Sequence, residues 1–386
     1  MQQKERLSVR QGGSLAADEV EAVRELHASI FQPDAGFNVF YCAPSYNRDR
    51  LAAALRDSFG HQVIVGCTTA GEIGPTGYTS GGLCGASIAS DELSLICRRM
   101  DQVSRAQMSD GQNLAQSMLR SIDPQGKARG AGNLFGFLLI DGMSCKEELV
   151  VASLYRGLDD VQLFGGSAAD GMNFSNTYVY HDGAFHNDAC VFTLVKTTLP
   201  FVVFKTEHFV AGDGKLVVTA ADPARRTVME INGESAARAY AAAIGVTVEQ
   251  LAPSVFAGNP VVVRVGGSLY VRALTKVNAD ESLTFACAID EGIVLTVAKS
   301  LDIEENLRDA FRQVEHNIGK PKIVLGCDCI LRGLELDQRA LRKSMGQIMA
   351  DNLVCGFGTY GEQYNAMHIN QTFTAVAIAE PAAAAE

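Results

Sequence analysis

Apolar residues recur at helical spacing over 18–30, where Val20, Val23, Leu26 and Ile30 share a stripe, and the run at 37–42 reads as a strand. A helix over 48–59 and a buried strand over 62–65 follow, the strand stopping at Gly66 before the loop 67–74. Two further strands are predicted at 82–88 and 93–99. The same order then returns: helix 114–122, strand 134–140, helix 146–157, strand 161–164 to Gly165, small-residue loop 166–171, and strands 176–181 and 189–195. A shift of 99 residues carries Gly66 onto Gly165, Thr68 onto Ser167 and Ala70 onto Ala169, which predicts an internally duplicated α-β-α-β-β-β unit.

Asp182-Gly183 predicts a two-residue hairpin turn that pairs His181 with Ala184 and Val179 with His186. The run 201–210 reads as a strand buried on both faces, with His208 on the side of Val202 and Phe204. Gly, Asp and Pro cluster over 211–225 and predict a domain boundary there. Beyond it come a strand at 228–231, an alanine-rich helix at 234–244, a hairpin of 261–265 with 269–274 over Gly266-Gly267, and strands at 283–289 and 292–298. Asp302 and Glu305 form a capping box for a helix carrying Leu307, Phe311, Val314 and Ile318, ending at Gly319 before Pro321. The expected organisation is α/β: two domains, 16–220 and 221–379, with mixed sheets flanked by helices, and disordered ends at 1–15 and 380–386.

The stretch 322–378 holds the densest candidate chemistry. Two short apolar runs, 323–325 and 354–357, end in small or polar residues on either side of a helix striped by Leu341, Met345, Ile348 and Met349. Their ends are expected to bring Cys327, Cys329, Tyr360, Glu362 and His368 to one sheet edge, where α/β proteins build sites. Tyr360, Glu362 and Tyr364 alternate as a possible pocket wall: a carboxylate for an amine, phenols for hydrogen bonds. The paired loops bearing Thr68 and Ser167 place backbone amides where an anion can approach, or are simply tight turns under the sheet.

Composition narrows the classes. A chain of 386 residues with 47% hydrophobic content has ample core for two domains, and a net charge of −11 without basic runs argues against nucleic acid or an anionic membrane. No apolar run is long enough to span a bilayer and the first residues lack a signal-peptide core, so the expected compartment is the cytoplasm. Ten cysteines without any CxxC leave no thioredoxin or zinc-ribbon spacing. Cys327 and Cys329 with His368 would supply three ligands to zinc but no evident fourth, or a thiol beside a base, yet no triad signature accompanies them. No enzymatic activity is expected. Strand-borne histidines are candidates for binding an iron centre or for ordinary burial.

The segments IVGCTTAGEI, LFGGSAADG, LGCDCILR, VCGFGTYGEQY and HINQT, in that order from Ile64, resemble the FIST proteins. Those are bacterial sensory modules with N- and C-terminal FIST domains, and the resemblance spans about 37–378. It implies a small ligand such as an amino acid. YVYHDGAFHNDA, FKTEHFV, DPARRTVMEINGE and GCDCILRGLE look like a stand-alone subgroup. For that subgroup the resemblance implies a b-type haem, nitric oxide as signal, a separate histidine kinase as partner, and His186, His208 or His368 as haem ligand. A homo-oligomer is possible within this reading.

Overall fold

The computed structural model describes residues 6–265 and 267–381. Strand β1 (Ser8–Ser14), α1 (Glu19–Ile30), β2 (Phe37–Cys42), α2 (Arg48–Phe59), β3 (Ile64–Thr68), β4 (Glu72–Gly74), β5 (Gly77–Thr79) and β6 (Leu83–Ala89) make a first unit. A second comprises β7 (Leu93–Asp101), α3 (Met108–Ile122), α4 (Lys127–Gly130), β8 (Leu134–Ile140), α5 (Glu147–Leu158), β9 (Gln162–Ser167), β10 (Val179–His181), β11 (Ala184–His186) and β12 (Ala189–Thr197).

A third unit opens with β13 (Phe201–Thr206) and is then interrupted. The insertion contains β14 (Phe209–Asp222), β15 (Thr227–Ile231), β16 (Glu234–Ser235), α6 (Ala236–Ile244), α7 (Pro253–Gly258), β17 (Val261–Val265), β18 (Ser268–Arg272), β19 (Leu274–Val277), β20 (Leu283–Phe285) and β21 (Val294–Ser300). The unit resumes with α8 (Ile303–Ile318), β22 (Pro321–Cys329), α9 (Ile330–Gln338), α10 (Arg342–Asp351), β23 (Val354–Thr359), β24 (Glu362–Tyr364), β25 (Met367–Ile369) and β26 (Phe373–Ala379).

The duplication is therefore part of a triplication. Three six-stranded sheets run β1-β6-β2-β3-β10-β11, β7-β12-β8-β9-β24-β25 and β13-β26-β22-β23-β4-β5. Each has one parallel pair (β2 with β3, β8 with β9, β22 with β23) in an otherwise antiparallel sheet. Each unit passes its small hairpin to a neighbour: the first to the third, the second to the first, the third to the second. A shift of 290 residues carries Gly66, Thr69, Gly71 and Glu72 onto Gly356, Thr359, Gly361 and Glu362. A Cβ at Gly66, Gly165 or Gly356 would strike the carbonyl oxygen of Phe40, Leu138 or Gly326 in the adjoining parallel strand, which accounts for glycine at all three places.

Inner faces of the three sheets meet in one core that includes Tyr41, Phe137, Phe164, Leu325, Phe357 and Val376, with Tyr41 stacked on Phe357 at 4.6 Å. Helices cover the outer faces: α1 and α2, α3 and α5, α8 and α10 each bury an apolar stripe on their own sheet. The insertion has its own eight-stranded sheet and its own core around Tyr240, Phe256 and Leu295.

Four expectations need correction. The expected disordered stretch 1–15 contains β1, which pairs with β6 residue for residue from Ser8↔Ala89 to Ser14↔Leu83, completing the sheet despite a polar sequence; residues 1–5 lie outside those described. The expected boundary at 220/221 cuts β14, and 303–379 packs with the first half of the chain because β13 pairs with β26 and β4 with β23. The strand expected over 201–210 breaks at Glu207–His208, where the chain leaves the body for the insertion. Glu380, expected to be frayed, accepts from the Leu7 backbone N–H at 3.2 Å and pairs with Lys322; residues 382–386 lie outside those described. The Asp182-Gly183 hairpin has the expected register. The 261–272 hairpin forms as well, with Gly266 of its turn outside the described residues. No helix among the described residues is long and apolar enough to cross a membrane.

Candidate ligand site at the junction of insertion and body

The insertion joins the body through two adjacent crossings, 207–208 and 301–302, tied by a hydrogen bond from the Leu301 N–H to the His208 carbonyl at 2.7 Å. Glu335 on α9 spans both, accepting from His208 Nε2 at 2.7 Å and from Ser300 Oγ at 3.0 Å. His208 is fully buried, and Arg332 Nη1 lies 3.2 Å from its Nδ1. Nδ1 is thus the accepting nitrogen, and Nε2–H donates to Glu335. Burial, with Arg332 adding to it, holds the imidazole below its usual pKa despite Glu335. Arg332 continues the chain of contacts to Asp328 at 2.6 Å, and Asp328 to Tyr78 at 2.5 Å.

On the far side the insertion is fastened by Arg226. Its guanidinium reaches Glu147 at 2.7 Å and Glu148 at 2.6 Å at the start of α5, and donates to the Ala286 carbonyl at 2.8 Å. Glu148 also accepts from the Ala288 N–H at 2.6 Å. Burial pushes the Glu148 carboxyl up, but His368, Arg226 and that N–H together bring it below its ordinary value.

Between hinge and fastening lies the run His368–Gln371, the link from β25 into β26. His368, Asn370 and Gln371 are buried, at 2%, 0% and 0% exposure. Gln363 Nε2 donates to Ser167 Oγ at 2.9 Å and faces His368 Nδ1 at 3.3 Å; Gln371 Nε2 donates to the Ala257 carbonyl of α7 at 2.7 Å. His368 Nε2, both polar atoms of the Asn370 amide, Gln371 Oε1 and Gln363 Oε1 have no partner. A Cβ at Gly361 would lie 2.7 Å from His368 Nε2 and 2.9 Å from Asn370 Nδ2, so the missing side chain leaves these groups their room. From the insertion, β18 packs against β25, and the Nε of Arg272 at its end is also buried without a partner. A small apolar cleft of about 30 Å³, which none of residues 368–371 lines, is walled by Phe174, Ala286, Cys329, Leu334 and Tyr360 together with the exposed Met172.

Each unpartnered buried polar atom costs about 1–3 kcal/mol. Five together, four on the run and one on Gln363, amount to about 5–15 kcal/mol, as large as the whole stability of a typical domain. These atoms therefore meet a partner in the working protein, water or ligand.

Of the residues expected to share one sheet edge, Cys329 and Tyr360 line the same cleft and the Glu362 carboxylate lies near enough to raise both thiols, but the set does not converge on one pocket. His368 lies at the junction. Tyr360 turns to Asp170, donating to its carboxylate, and stacks on Phe174 at 4.4 Å. Glu362 is sealed inside with Thr359 and Thr372, and Tyr364, half-buried against the main core, lies beside Lys205, so the three form no common wall. Burial raises the Cys327 and Cys329 thiols far above their usual range, and no group of three metal-ligating side chains occurs among the described residues. That burial counts against a thiolate nucleophile at the two cysteines. Thr68 accepts from the Tyr178 N–H at 3.1 Å and Ser167 from Gln363, so both serve to hold exchanged hairpins.

His186 is half-buried on β11, its Nε2 2.7 Å from Arg99 Nη1. The neighbouring His181 lines a separate groove of about 590 Å³ with Leu55, His61, Ile64, Leu95 and Tyr180. Sequence reasoning missed Asn370, Gln371, Arg272, Arg226, Glu147 and Glu148. The one available signal was His368-Ile369-Asn370-Gln371-Thr372, a mostly polar run leading into a largely apolar strand.

The chain matches the FIST N domain over residues 36–234 and the FIST C domain over residues 236–365. Comparison with curated proteins gives no significant match.

Proposed function

We propose that this chain, which belongs to the FIST family of sensory signal-transduction domains, is a sensor that encloses a small polar metabolite at the junction of insertion and body. The observation that carries the reading is the set of unpartnered polar atoms on the 368–371 run and on Gln363. They are shut from solvent, so a ligand enters when the insertion swings about its two crossings and the Arg226 contact opens. A ligand that touches both halves favours the closed form by its differential affinity, and the changed balance of open and closed molecules is the signal. A thermal-shift screen of small metabolites tests this. A saturating ligand at about 100 times its dissociation constant adds about 2.7 kcal/mol, a shift of several degrees, whereas a flat response to every polar metabolite contradicts the reading.

A second reading keeps the b-type haem and nitric oxide implied by resemblance. His208 has both ring nitrogens engaged, and His368 is buried with its Nε2 packed close against Gly361, so neither leaves room for a porphyrin. His186 is different. Its hairpin borders the 590 Å³ groove, and the Nδ1 of His181 there is buried without a hydrogen bond, 3.1 Å from the Asp182 carboxylate. A haem in that groove would be held through the 181–186 hairpin, with Arg56 and Arg98 for its propionates, and its iron would bind nitric oxide. Haemin titration should then give a sharp Soret band that moves with nitric oxide and is lost in His181→Ala or His186→Ala. A free-haemin spectrum speaks against it. The resemblance also supports a separate histidine kinase as receiver of either signal; an autophosphorylation rate unmoved by this protein, loaded or empty, speaks against that partner.

A further inference from the structure

We propose that Arg272 selects the ligand, and that the ligand is a small carboxylate whose other end presents an amide edge; the inference rests on the junction being the binding site. Two arginines of the insertion act on the same buried thiol, Cys287, beside Glu148 of the body, and they differ. Arg226 is neutralised by Glu147 and Glu148. Arg272 has no carboxylate within ion-pair distance among the described residues, and its Nε–H points into protein without an acceptor. Its charge nonetheless reaches the buried Cys287 thiol, lowering a pKa that burial raises, as Arg226 does in the same place. A half-buried guanidinium with an idle N–H is matched by an anion with planar oxygens, which a carboxylate supplies.

The body supplies the complement. Asn370 offers one donor and one acceptor side by side, the pattern that a primary amide or a lactam returns. His368 Nδ1 faces the Gln363 N–H, so Nε2 carries the proton and adds a donor, while Gln371 and Gln363 add carbonyl acceptors. A free ammonium group finds no anion here, because both nearby carboxylates already belong to Arg226. The set therefore favours an anionic amide over a zwitterion. Such a ligand joins Arg272 of the insertion to Asn370 of the body, and so bridges the two halves that must close.

Three related compounds separate the terms: succinamate carries the carboxylate and the amide, succinamide lacks the carboxylate, and L-asparagine adds an ammonium group to succinamate. Titration calorimetry on the full chain should find succinamate at least tenfold tighter than succinamide, and L-asparagine weaker than succinamate. Arg272→Ala should erase the difference between succinamate and succinamide, and Asn370→Ala should weaken both, with urea midpoints no lower than wild type certifying that the variants fold. Equal binding of succinamate and succinamide, or unaltered succinamate affinity in Arg272→Ala, overturns the assignment of Arg272. Failure of all three while a different metabolite binds and is lost in Asn370→Ala overturns the carboxylamide class and leaves the junction standing. Failure of every compound in both proteins, with the buried atoms satisfied by ordered water only, overturns both.

Discussion

Glu72 and Glu362 occupy the same point of two repeats. Each accepts from the threonine three residues earlier (Thr69, Thr359) and from the backbone N–H ten residues later, Gly82 at 3.3 Å and Thr372 at 3.2 Å. Both lie where an exchanged hairpin meets its host sheet, and both are fully buried. In the second unit the corresponding positions are Ala168 and Gly171, so the pair is absent there.

Burial pushes the carboxyl pKa to about 7 for Glu72 and about 8 for Glu362. The folded state thus holds protons that the unfolded chain releases near 4.5, and stability falls as pH rises from about 4.5 through 8. Urea midpoints measured from pH 5 to 9 should decline across that range. Glu362→Gln, which stays neutral, should flatten the decline by a few kcal/mol, at roughly 1.4 kcal/mol per unit of pKa shift. An identical slope in wild type and variant would sink this account of Glu362.

Arg226 offsets two carboxylates on another element, and removing it leaves Glu147 buried without a counter-charge. Such losses cost about 3–5 kcal/mol, and the low end applies because Glu148 retains a third of its exposure. Arg226→Ala should speed hydrogen exchange in 209–300 more than in the three-sheet body, since that contact fastens the insertion alone. A uniform change across both regions would mean that the insertion is not a separately moving part.

Gly361→Ala places a methyl group against the His368 ring and the Asn370 amide. Overpacking of this kind costs about 1–3 kcal/mol and displaces the two side chains that define the junction floor. Ligand response in the thermal-shift assay should disappear although the protein still folds. A full response would show that these side chains are not at the binding surface.

Periodicity resolved most helices and strands, because each unit buries a helix stripe and largely apolar parallel strands, and these leave strong patterns in sequence. The third repeat stayed hidden because ninety-odd residues of insertion separate β13 from α8, and because its glycines match the first unit only at a shift of 290. Strand β1 was missed because an edge strand with one face under a helix needs little apolar content: Ser8-Val9-Arg10-Gln11-Gly12-Gly13-Ser14 pairs through its backbone. For the site, His368 was legible and its partners were not. Arg226, Arg272 and Asn370 come from three distant segments, and only the hairpin exchange and the returning insertion bring them together.

The most direct measurement of the central claim is calorimetric titration of wild type and Asn370→Ala with the metabolite that gives the largest thermal shift. Asn370 makes no hydrogen bond within the protein, so its removal should leave the fold intact while weakening binding at least tenfold. Equal affinity in the two proteins would place the ligand elsewhere and contradict the assignment of the sensing site to the junction.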